Sequence, residues 1–267
     1  MANCGFPVIP AYLAEQPWPE ARIKGVEVTH VWTQDRKLSE RIAHCSLIEH
    51  VVDQPEDMIG EIDGLLLARD DAENHLLFAR PFLEHGLPVY IDKPVALSRQ
   101  TMQEIYALER FTGQVFSCSA LRFAKELQPN ANDIKAVGRL QLITASTPKD
   151  WERYAIHLID PLLLILGIDK PFARLYRGRW PDGGCSVGFA VSGGPTVQLT
   201  ALGRHAYGSI AIHLHGDRDE ITLPFQDSFQ AFRTALKAFR DHVFNASRES
   251  TLPFNRRAVE ILEMGVT

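Results

Sequence analysis

The sequence predicts an α/β protein in which a doubly wound parallel sheet is followed by an α+β domain with a large, mainly antiparallel open sheet. In residues 26–120, short continuous apolar runs alternate with helical segments, which is typical of parallel strands covered on both faces. From residue 139 onward, strand-like runs follow one another across glycine-containing turns, which is typical of antiparallel hairpins. This change predicts a first domain over residues 1–121 and a second over residues 122–267.

The first domain is predicted to alternate strands with helices, as the crossovers of a parallel sheet require. Asp70 and Asp71 precede the second helix and Ser98 precedes the third, and short polar side chains of this kind cap free N–H groups at a helix start. Strands are expected at residues 26–32, 48–52, 64–68, 88–92 and 115–120, and helices at residues 35–45, 72–84 and 99–112.

The second domain is predicted to be a sheet of hairpins closed by two helices. In the first of these helices, apolar side chains recur at spacings of three and four, which indicates a stripe that faces the core. This stripe consists of Phe229, Phe232, Leu236, Phe239 and Val243. Strands are expected at residues 139–146, 172–179, 185–191, 196–202, 209–214 and 220–223, with turns at residues 181–184, 193–194 and 215–217.

Composition excludes several classes of partner. The formal net charge is −5, which gives no argument for nucleic-acid binding, and the longest apolar runs are too short to span a membrane. The sequence shows no basic segment followed by an apolar one, so no signal peptide is expected. Cys4, Cys45, Cys118 and Cys185 lack metal-ligand spacing, and we interpret them as reduced thiols in a cytoplasmic protein that has no metal site.

The strand at residues 88–92 ends on Asp92-Lys93-Pro94. Pro94 keeps Lys93 out of the α region, and ligands of a parallel sheet bind outside the carboxyl ends of its strands. Lys93 at that edge can bind a carboxylate or phosphate, polarise a carbonyl group or exchange a proton. The alternative is a solvated loop lysine, since most charged side chains are exposed.

A second group of polar side chains lies in the apolar segment 151–167. His157 and Asp160 are three residues apart and share one helical face, so they can pair or line a polar cavity. A histidine beside a carboxylate is a typical general acid or base. The alternative is that Asp160 only caps a helix whose first residue is Pro161.

These features together resemble the Gfo/Idh/MocA family of nicotinamide-dependent oxidoreductases, over residues 26–267. Asp92-Lys93-Pro94 is similar to the family's Glu-Lys-Pro motif, and His157-Leu158-Ile159-Asp160 to its His-x-x-Asp motif. Residues 68–75 resemble the family's strand end followed by a helix with a histidine. Leu121-Arg122-Phe123 resembles its Arg-Phe pair after the sixth strand.

The resemblance implies a Rossmann-like first domain, a substrate domain, and hydride transfer between NAD or NADP and a sugar or polyol. It assigns catalysis to Lys93, His157 and Asp160. The residues that it places beside the cofactor are Thr33, Asp35, Asp70, His75, Asp92, Lys93, Pro94 and Arg122. The residues that it places beside the substrate are Trp151, Arg153 and Tyr154.

Two departures from the family pattern affect the expected function. Arg153 stands where many members carry an aspartate, which favours an anionic substrate group or a changed proton relay. The G-x-G-x-x-G fingerprint that binds the pyrophosphate is missing, and the prolines at positions 7 and 10 are incompatible with a central strand. We therefore expect the first strand–loop–helix unit, about 30 residues, to be lacking.

Two other functions stay open at this point. One is a non-catalytic ligand-binding or regulatory protein that kept the fold and lost the cofactor loop, and the other is a lyase or isomerase that uses Lys93 and His157 without net redox chemistry. We also expect a homodimer or homotetramer through the antiparallel sheet. Val187, Phe189 and Val191, which alternate along one strand, are predicted to form part of an exposed apolar face there.

Overall fold

The structure is a computed structural model that describes residues 13–244 and 248–266. Its helices are α1 (Arg36–Ser46), α2 (His75–Glu84), α3 (Arg99–Tyr106), α4 (Ala131–Val137), α5 (Trp151–Tyr154), α6 (Ile156–Leu166), α7 (Ser228–Phe244) and α8 (Leu252–Val266). Its strands are β1 (His30–Val31), β2 (His50–Val51), β3 (Leu65–Leu67), β4 (Val89–Ile91), β5 (Val115–Phe116), β6 (Leu140–Thr147), β7 (Phe172–Arg179), β8 (Cys185–Val191), β9 (Thr196–Ala201), β10 (Ala211–Gly216) and β11 (Glu220–Pro224).

The strand topology confirms the predicted fold class. In the first half, β3, β4 and β5 form a parallel sheet and β1 pairs with β2 in parallel. In the second half, one sheet has the strand order β11-β10-β6-β9-β8-β7. All neighbours in that sheet are antiparallel except β6 and β9, whose strands run parallel. The domain boundary at residue 121 stays a prediction.

The two parallel sheets of the first half are separate within the described residues, and α2 lies between their ends. The ring of Trp32, which follows β1, has its centre 5.6 Å from that of Phe78 in α2. The guanidinium carbon of Arg69, which follows β3, lies 4.1 Å from the centre of the same ring. The carboxyl ends of β1 and β3 therefore meet beside α2.

The described residues before β1 contain no strand, and residues 18–24 lie along α7. Arg233 of α7 donates to the carbonyl oxygen of Ala21 at 2.6 Å, and Arg240 donates to that of Lys24 at 2.9 Å. Residues 1–12 lie outside the described part of the chain. The expected lack of the first strand–loop–helix unit therefore stays a prediction.

The apolar face that was expected at an interface is part of the protein's own core. Val187 and Phe189 are fully buried and Val191 is nearly so, because this face of the sheet packs under helices that include α6 and α8. The prediction that these side chains are exposed is therefore wrong. The oligomeric state stays a prediction that rests on the other face of the sheet.

The stripe predicted for α7 is also partly wrong. Phe232 and Leu236 are exposed, at 55% and 37% of their surface, whereas Ala231, Ala235 and Phe239 are buried. The core-facing side of α7 is thus rotated from the predicted stripe and is lined mainly by small residues. The physical reason is close approach, since alanine side chains let the helix come near the helical turn at residues 120–123, on which it packs.

The cysteines do not all behave as predicted. Cys118 and Cys185 are free and buried, as expected of thiols that act as small apolar side chains. Cys45, however, is disulfide-bonded, so the interpretation of all cysteines as reduced thiols is wrong at this position. Cys4 lies outside the described residues.

Helix α8 packs against Trp151, and this contact yields a stability prediction. A Cβ atom at Gly265 would lie 2.3 Å from Cε2 of the fully buried Trp151 ring. We expect Gly265→Ala to lower the free energy of unfolding by about 1–3 kcal/mol, because overpacking outweighs the higher helix propensity of alanine. Urea denaturation measures the change. Gly178→Ala in β7 is the control, since nothing lies within 4 Å of its added Cβ, and equal losses in both variants would contradict the prediction.

Candidate active site

Lys93 lies at the carboxyl end of β4 with only 13% of its side chain exposed. Its Nζ atom is 3.2 Å from Oδ1 of Asp70, which follows β3, and 3.6 Å from Oδ2 of Asp92. Burial raises the pKa of Asp92. The structure thus places a mostly buried, paired ammonium group at the strand edge, and the alternative of a solvated loop lysine does not describe it.

The ring of Tyr154 brings the predicted site residues together. Nζ of Lys93 lies 5.8 Å from the centre of this ring, and the imidazole centre of His157 lies 5.4 Å from it. Arg153, its neighbour in α5, is exposed and has Nε 3.9 Å from Oδ2 of Asp70. The two halves of the chain therefore meet around Tyr154, with the strand end on one side and α5 and α6 on the other.

His157 is buried at the start of α6, and its ring lies beside the hydroxyl group of Ser119. Its Nδ1 atom lies 2.7 Å from the hydroxyl oxygen of Ser119, which also accepts a hydrogen bond from the Leu121 N–H group. Burial, and then the nearby Lys93 ammonium group, lower the pKa of His157 from 6.5 to about 3. The imidazole is therefore neutral near pH 7 and can accept or share a proton.

Asp160 is fully buried and does not contact His157 directly. Its Oδ2 atom accepts from the Ser119 N–H group at 2.6 Å and from Nη2 of Arg122 at 2.8 Å, whereas Oδ1 has no partner. Burial raises the pKa of this carboxyl group. Asp160 and His157 are thus linked through Ser119, and a buried ion pair with Arg122 fixes that link.

The alternative that Asp160 caps a helix beginning at Pro161 is wrong. Helix α6 begins at Ile156 and runs through Pro161, so Asp160 lies inside it. The carboxylate is consequently free to bind Ser119 and Arg122.

Two residues predicted to bind ligands are closed off by their surroundings. His75 is fully buried, and its ring nitrogens lie 3.2 Å from the Val95 carbonyl oxygen and 2.9 Å from that of Arg69. Trp151 is also fully buried, and its Nε1 donates to the Leu262 carbonyl at 2.8 Å. Both side chains have partners inside the protein, and their predicted contacts with cofactor and substrate stay predictions.

The remaining predicted cofactor residues lie in different places. Thr33 and Asp35 follow β1, where Asp35 caps α1 by accepting from the Lys37 N–H group. Pro94 is buried directly after Lys93. Arg122 is held by Asp160, and its guanidinium carbon lies 3.7 Å from the ring centre of Phe254, so its charge is already paired inside the protein.

Sequence reasoning missed two residues of this site. Ser119 joins His157 to Asp160, and Lys149, which follows β6, donates from Nζ to the hydroxyl group of Tyr154. Ser119 could have been found from its place directly after a predicted strand, because polar residues at carboxyl ends of strands often line a site. The signal for Lys149 was weaker, since nothing in its local sequence sets it apart.

The residues at the nicotinamide end fit a dinucleotide cofactor, whereas those at the phosphate end do not complete a site. Lys93, Asp70 and Tyr154 lie at the strand edge where the reactive end of such a cofactor binds. The given sequence contains no G-x-G-x-x-G turn.

The parallel sheet and the polar residues at its carboxyl edge have the arrangement expected of a nicotinamide-dependent oxidoreductase. A family model described as an oxidoreductase family with an NAD-binding Rossmann fold matches residues 7–119. This match makes residues 7–119 similar to the Gfo/Idh/MocA oxidoreductases, and the predicted nicotinamide cofactor agrees with the NAD-binding character of that family model. Sequence comparison with curated proteins found no match.

Solved structures of dehydrogenases share the fold along nearly the whole chain. Myo-inositol dehydrogenase from Lactobacillus casei, in complex with NAD(H) and myo-inositol, has a TM-score of 0.72 at 14% identity, covering 91% of this chain and 87% of its own. Myo-inositol 2-dehydrogenase from Lactobacillus plantarum has a TM-score of 0.71 at 15% identity, covering 91% and 89%. KijD10, a 3-ketoreductase from Actinomadura kijaniata in complex with TDP-benzene and NADP, has a TM-score of 0.74 at 16% identity, covering 90% and 89%.

Across residues 13–244 and 248–266, every helix is too short or too polar to cross a membrane. In the same residues, no group of three or more His, Cys, Asp or Glu side chains is placed to hold a metal ion.

Proposed function

We propose that the protein transfers a hydride between NAD or NADP and a hydroxyl or carbonyl group of a sugar, a polyol or a related small molecule. The observation that carries this proposal is the arrangement of Lys93 and His157 around the Tyr154 ring, at the carboxyl end of β4. A hydroxyl group that loses a hydride must also lose a proton, and this arrangement offers an ammonium group and a neutral imidazole for that step.

Each side chain has a separate task in this mechanism. The nicotinamide, when bound, supplies or accepts the hydride. Lys93 holds the substrate oxygen and stabilises its negative charge, because its ammonium group is largely shielded from water. His157 takes up or returns the hydroxyl proton, since the low pKa keeps its imidazole neutral between turnovers.

Ser119, Asp160 and Arg122 are positioning residues for His157. The serine hydroxyl group meets Nδ1 of the imidazole, and its N–H group is held by the Asp160 carboxylate. Arg122 keeps that carboxylate in place through its bond to Oδ2. Because Nδ1 of the ring is bound to the Ser119 hydroxyl group, Nε2 is the ring nitrogen that contacts the substrate.

The substrate class, the assembly and the location are parts of the same proposal. The similar structure with myo-inositol supports a substrate that carries several hydroxyl groups. We place the protein in the cytoplasm as a homodimer or homotetramer that uses the outer face of the six-stranded sheet. That face carries small polar side chains such as Ser186 and Thr200, which hydrogen-bond to each other.

A second candidate function is a ligand-binding protein without catalysis, and the missing glycine fingerprint favours it. Titration of the protein into NADH and NADPH, followed by nicotinamide fluorescence, separates the two candidates. We expect saturable binding of at least one nucleotide, with a dissociation constant in the micromolar range or above. The reason is that the given sequence shows no G-x-G-x-x-G turn, which usually binds the diphosphate. Absence of saturable binding of either nucleotide would exclude the oxidoreductase.

A further inference from the structure

Lys149 has an unusual and firmly held backbone. Its φ angle is 67°, in the left-handed region that residues other than glycine rarely adopt. Two hydrogen bonds with Gly203 hold it there, with N–H to oxygen distances of 3.0 Å and 2.9 Å. Non-glycine residues held in this region cluster at functional sites. The backbone conformation thus fixes the position of the Lys149 Cα atom, just before α5.

The Lys149 ammonium group points to Tyr154 and lacks an acidic partner. Nζ donates to the Tyr154 hydroxyl group and lies 4.4 Å from the ring centre. Lys93, on the same ring, is paired with Asp70 and Asp92. Within the described part of the chain, no carboxylate forms an ion pair with Lys149. The site therefore holds one positive charge that the protein itself does not neutralise.

We propose that Lys149 and the Tyr154 hydroxyl group bind an acidic group of the substrate, so that the substrate is a sugar or polyol that carries a carboxylate. The inference rests on the proposed function, which places the reacting carbon at Lys93 and His157. Nζ of Lys149 and Nζ of Lys93 lie 4.4 Å and 5.8 Å from the centre of one tyrosine ring. One monosaccharide acid can therefore reach both ammonium groups.

The charges around His157 support this assignment. The ammonium groups of Lys93 and Lys149 oppose protonation of the imidazole, and Asp70 favours it. A substrate carboxylate bound to Lys149 offsets one of the two positive charges. Proton transfer from the substrate hydroxyl group to His157 is then easier with the acidic substrate than with a neutral one. Arg153 at the exposed rim adds to the attraction of an anion.

The test compares D-glucuronate with D-glucose, which differ only in the carboxylate, as ligands of the wild-type protein, Lys149→Gln and Lys149→Arg. Calorimetric titrations are run with and without saturating NADH. We expect wild type to bind glucuronate at least about tenfold more tightly than glucose, as one charge-assisted hydrogen bond allows. Lys149→Gln should lose this preference and Lys149→Arg should keep it. All three proteins carry a non-glycine residue at the strained position, so backbone strain is matched.

Three results would overturn the proposal: no binding of glucuronate, equal binding of both sugars by wild type, or an unchanged preference in Lys149→Gln. A purely structural role of Lys149 predicts the last of these. NADH affinity, measured on the same samples, keeps the two proposals apart. If NADH binds saturably but glucuronate is not preferred, only the role assigned to Lys149 is wrong. If no nucleotide binds, the proposed oxidoreductase function is wrong, and the sugar titrations alone decide whether Lys149 binds a carboxylate.

Discussion

Replacing Lys93 with methionine is expected to lower turnover by roughly two to four orders of magnitude while the protein stays folded. In the proposed mechanism the ammonium group stabilises the negative charge on the substrate oxygen, and methionine keeps much of the apolar stem without that charge. NAD(P)H absorbance at 340 nm, with myo-inositol, D-glucose and D-glucuronate as trial substrates, measures the change.

The matched control for this prediction is Lys170→Met. Lys170 is exposed in the connection between α6 and β7, outside the site. The Lys170→Met variant should turn over substrate at the wild-type rate and unfold at the same urea concentration as wild type. If Lys93→Met and Lys170→Met were equally active, Lys93 would have no part in the chemistry. We expect the fold to tolerate the first change because Asp70 is 62% exposed and can be solvated, whereas Asp92, at 30% exposure, can take up a proton since burial already raises its pKa.

Replacing His157 with asparagine is expected to lower turnover by roughly two to four orders of magnitude, because the group that exchanges the hydroxyl proton is lost. The asparagine amide can still bond to Ser119, so the buried hydroxyl group keeps a partner. Asp160→Asn should reduce turnover less, since Asp160 reaches the imidazole only through Ser119. A larger loss in Asp160→Asn than in His157→Asn would contradict these roles.

The same variant tests the depressed pKa of His157 through stability. In the unfolded chain the imidazole takes up a proton near pH 6.5, whereas in the folded protein it does so only near pH 3. Between these values the unfolded state binds more protons, so folded wild type loses stability as the pH falls, by about 1 kcal/mol per pH unit. Urea denaturation between pH 6 and pH 4 should show that the free energy of unfolding falls less per pH unit in His157→Asn than in wild type. An unchanged slope in His157→Asn would contradict the depressed pKa of His157.

Much of the fold could be predicted because local sequence decides it. β7 and β8 have the predicted bounds, and Ser98 caps α3 by accepting from the Thr101 N–H group. The predicted strand at residues 26–32 is observed only as β1. A strand needs a paired neighbour on the correct edge, and no described strand borders β1 on the side away from β2. Periodicity cannot reveal whether that neighbour exists.

The site was less predictable because it depends on contacts between distant parts of the chain. Lys93 and His157 follow from a strand end and a polar residue in an apolar helix, and the structure brings both to Tyr154. His75 also follows a strand end, yet two backbone carbonyl oxygens enclose its ring. Residue type and spacing do not distinguish these cases. Ser119 illustrates the converse, since its importance appears only once His157 is placed beside it.

Helix α8 has a consequence for how the protein is made. Its Asn255 donates to the Ser117 carbonyl oxygen beside β5, and its Glu263 binds Arg99 of α3, so it packs on the half of the chain that is synthesised first. Val259 of α8 lies in the same apolar core as β4. During translation, that half emerges from the ribosome long before residues 252–266 can cover it. The apolar surface that Val259 covers therefore stays exposed until residues 252–266 are synthesised, and exposed apolar surface of this kind makes a nascent chain prone to aggregation.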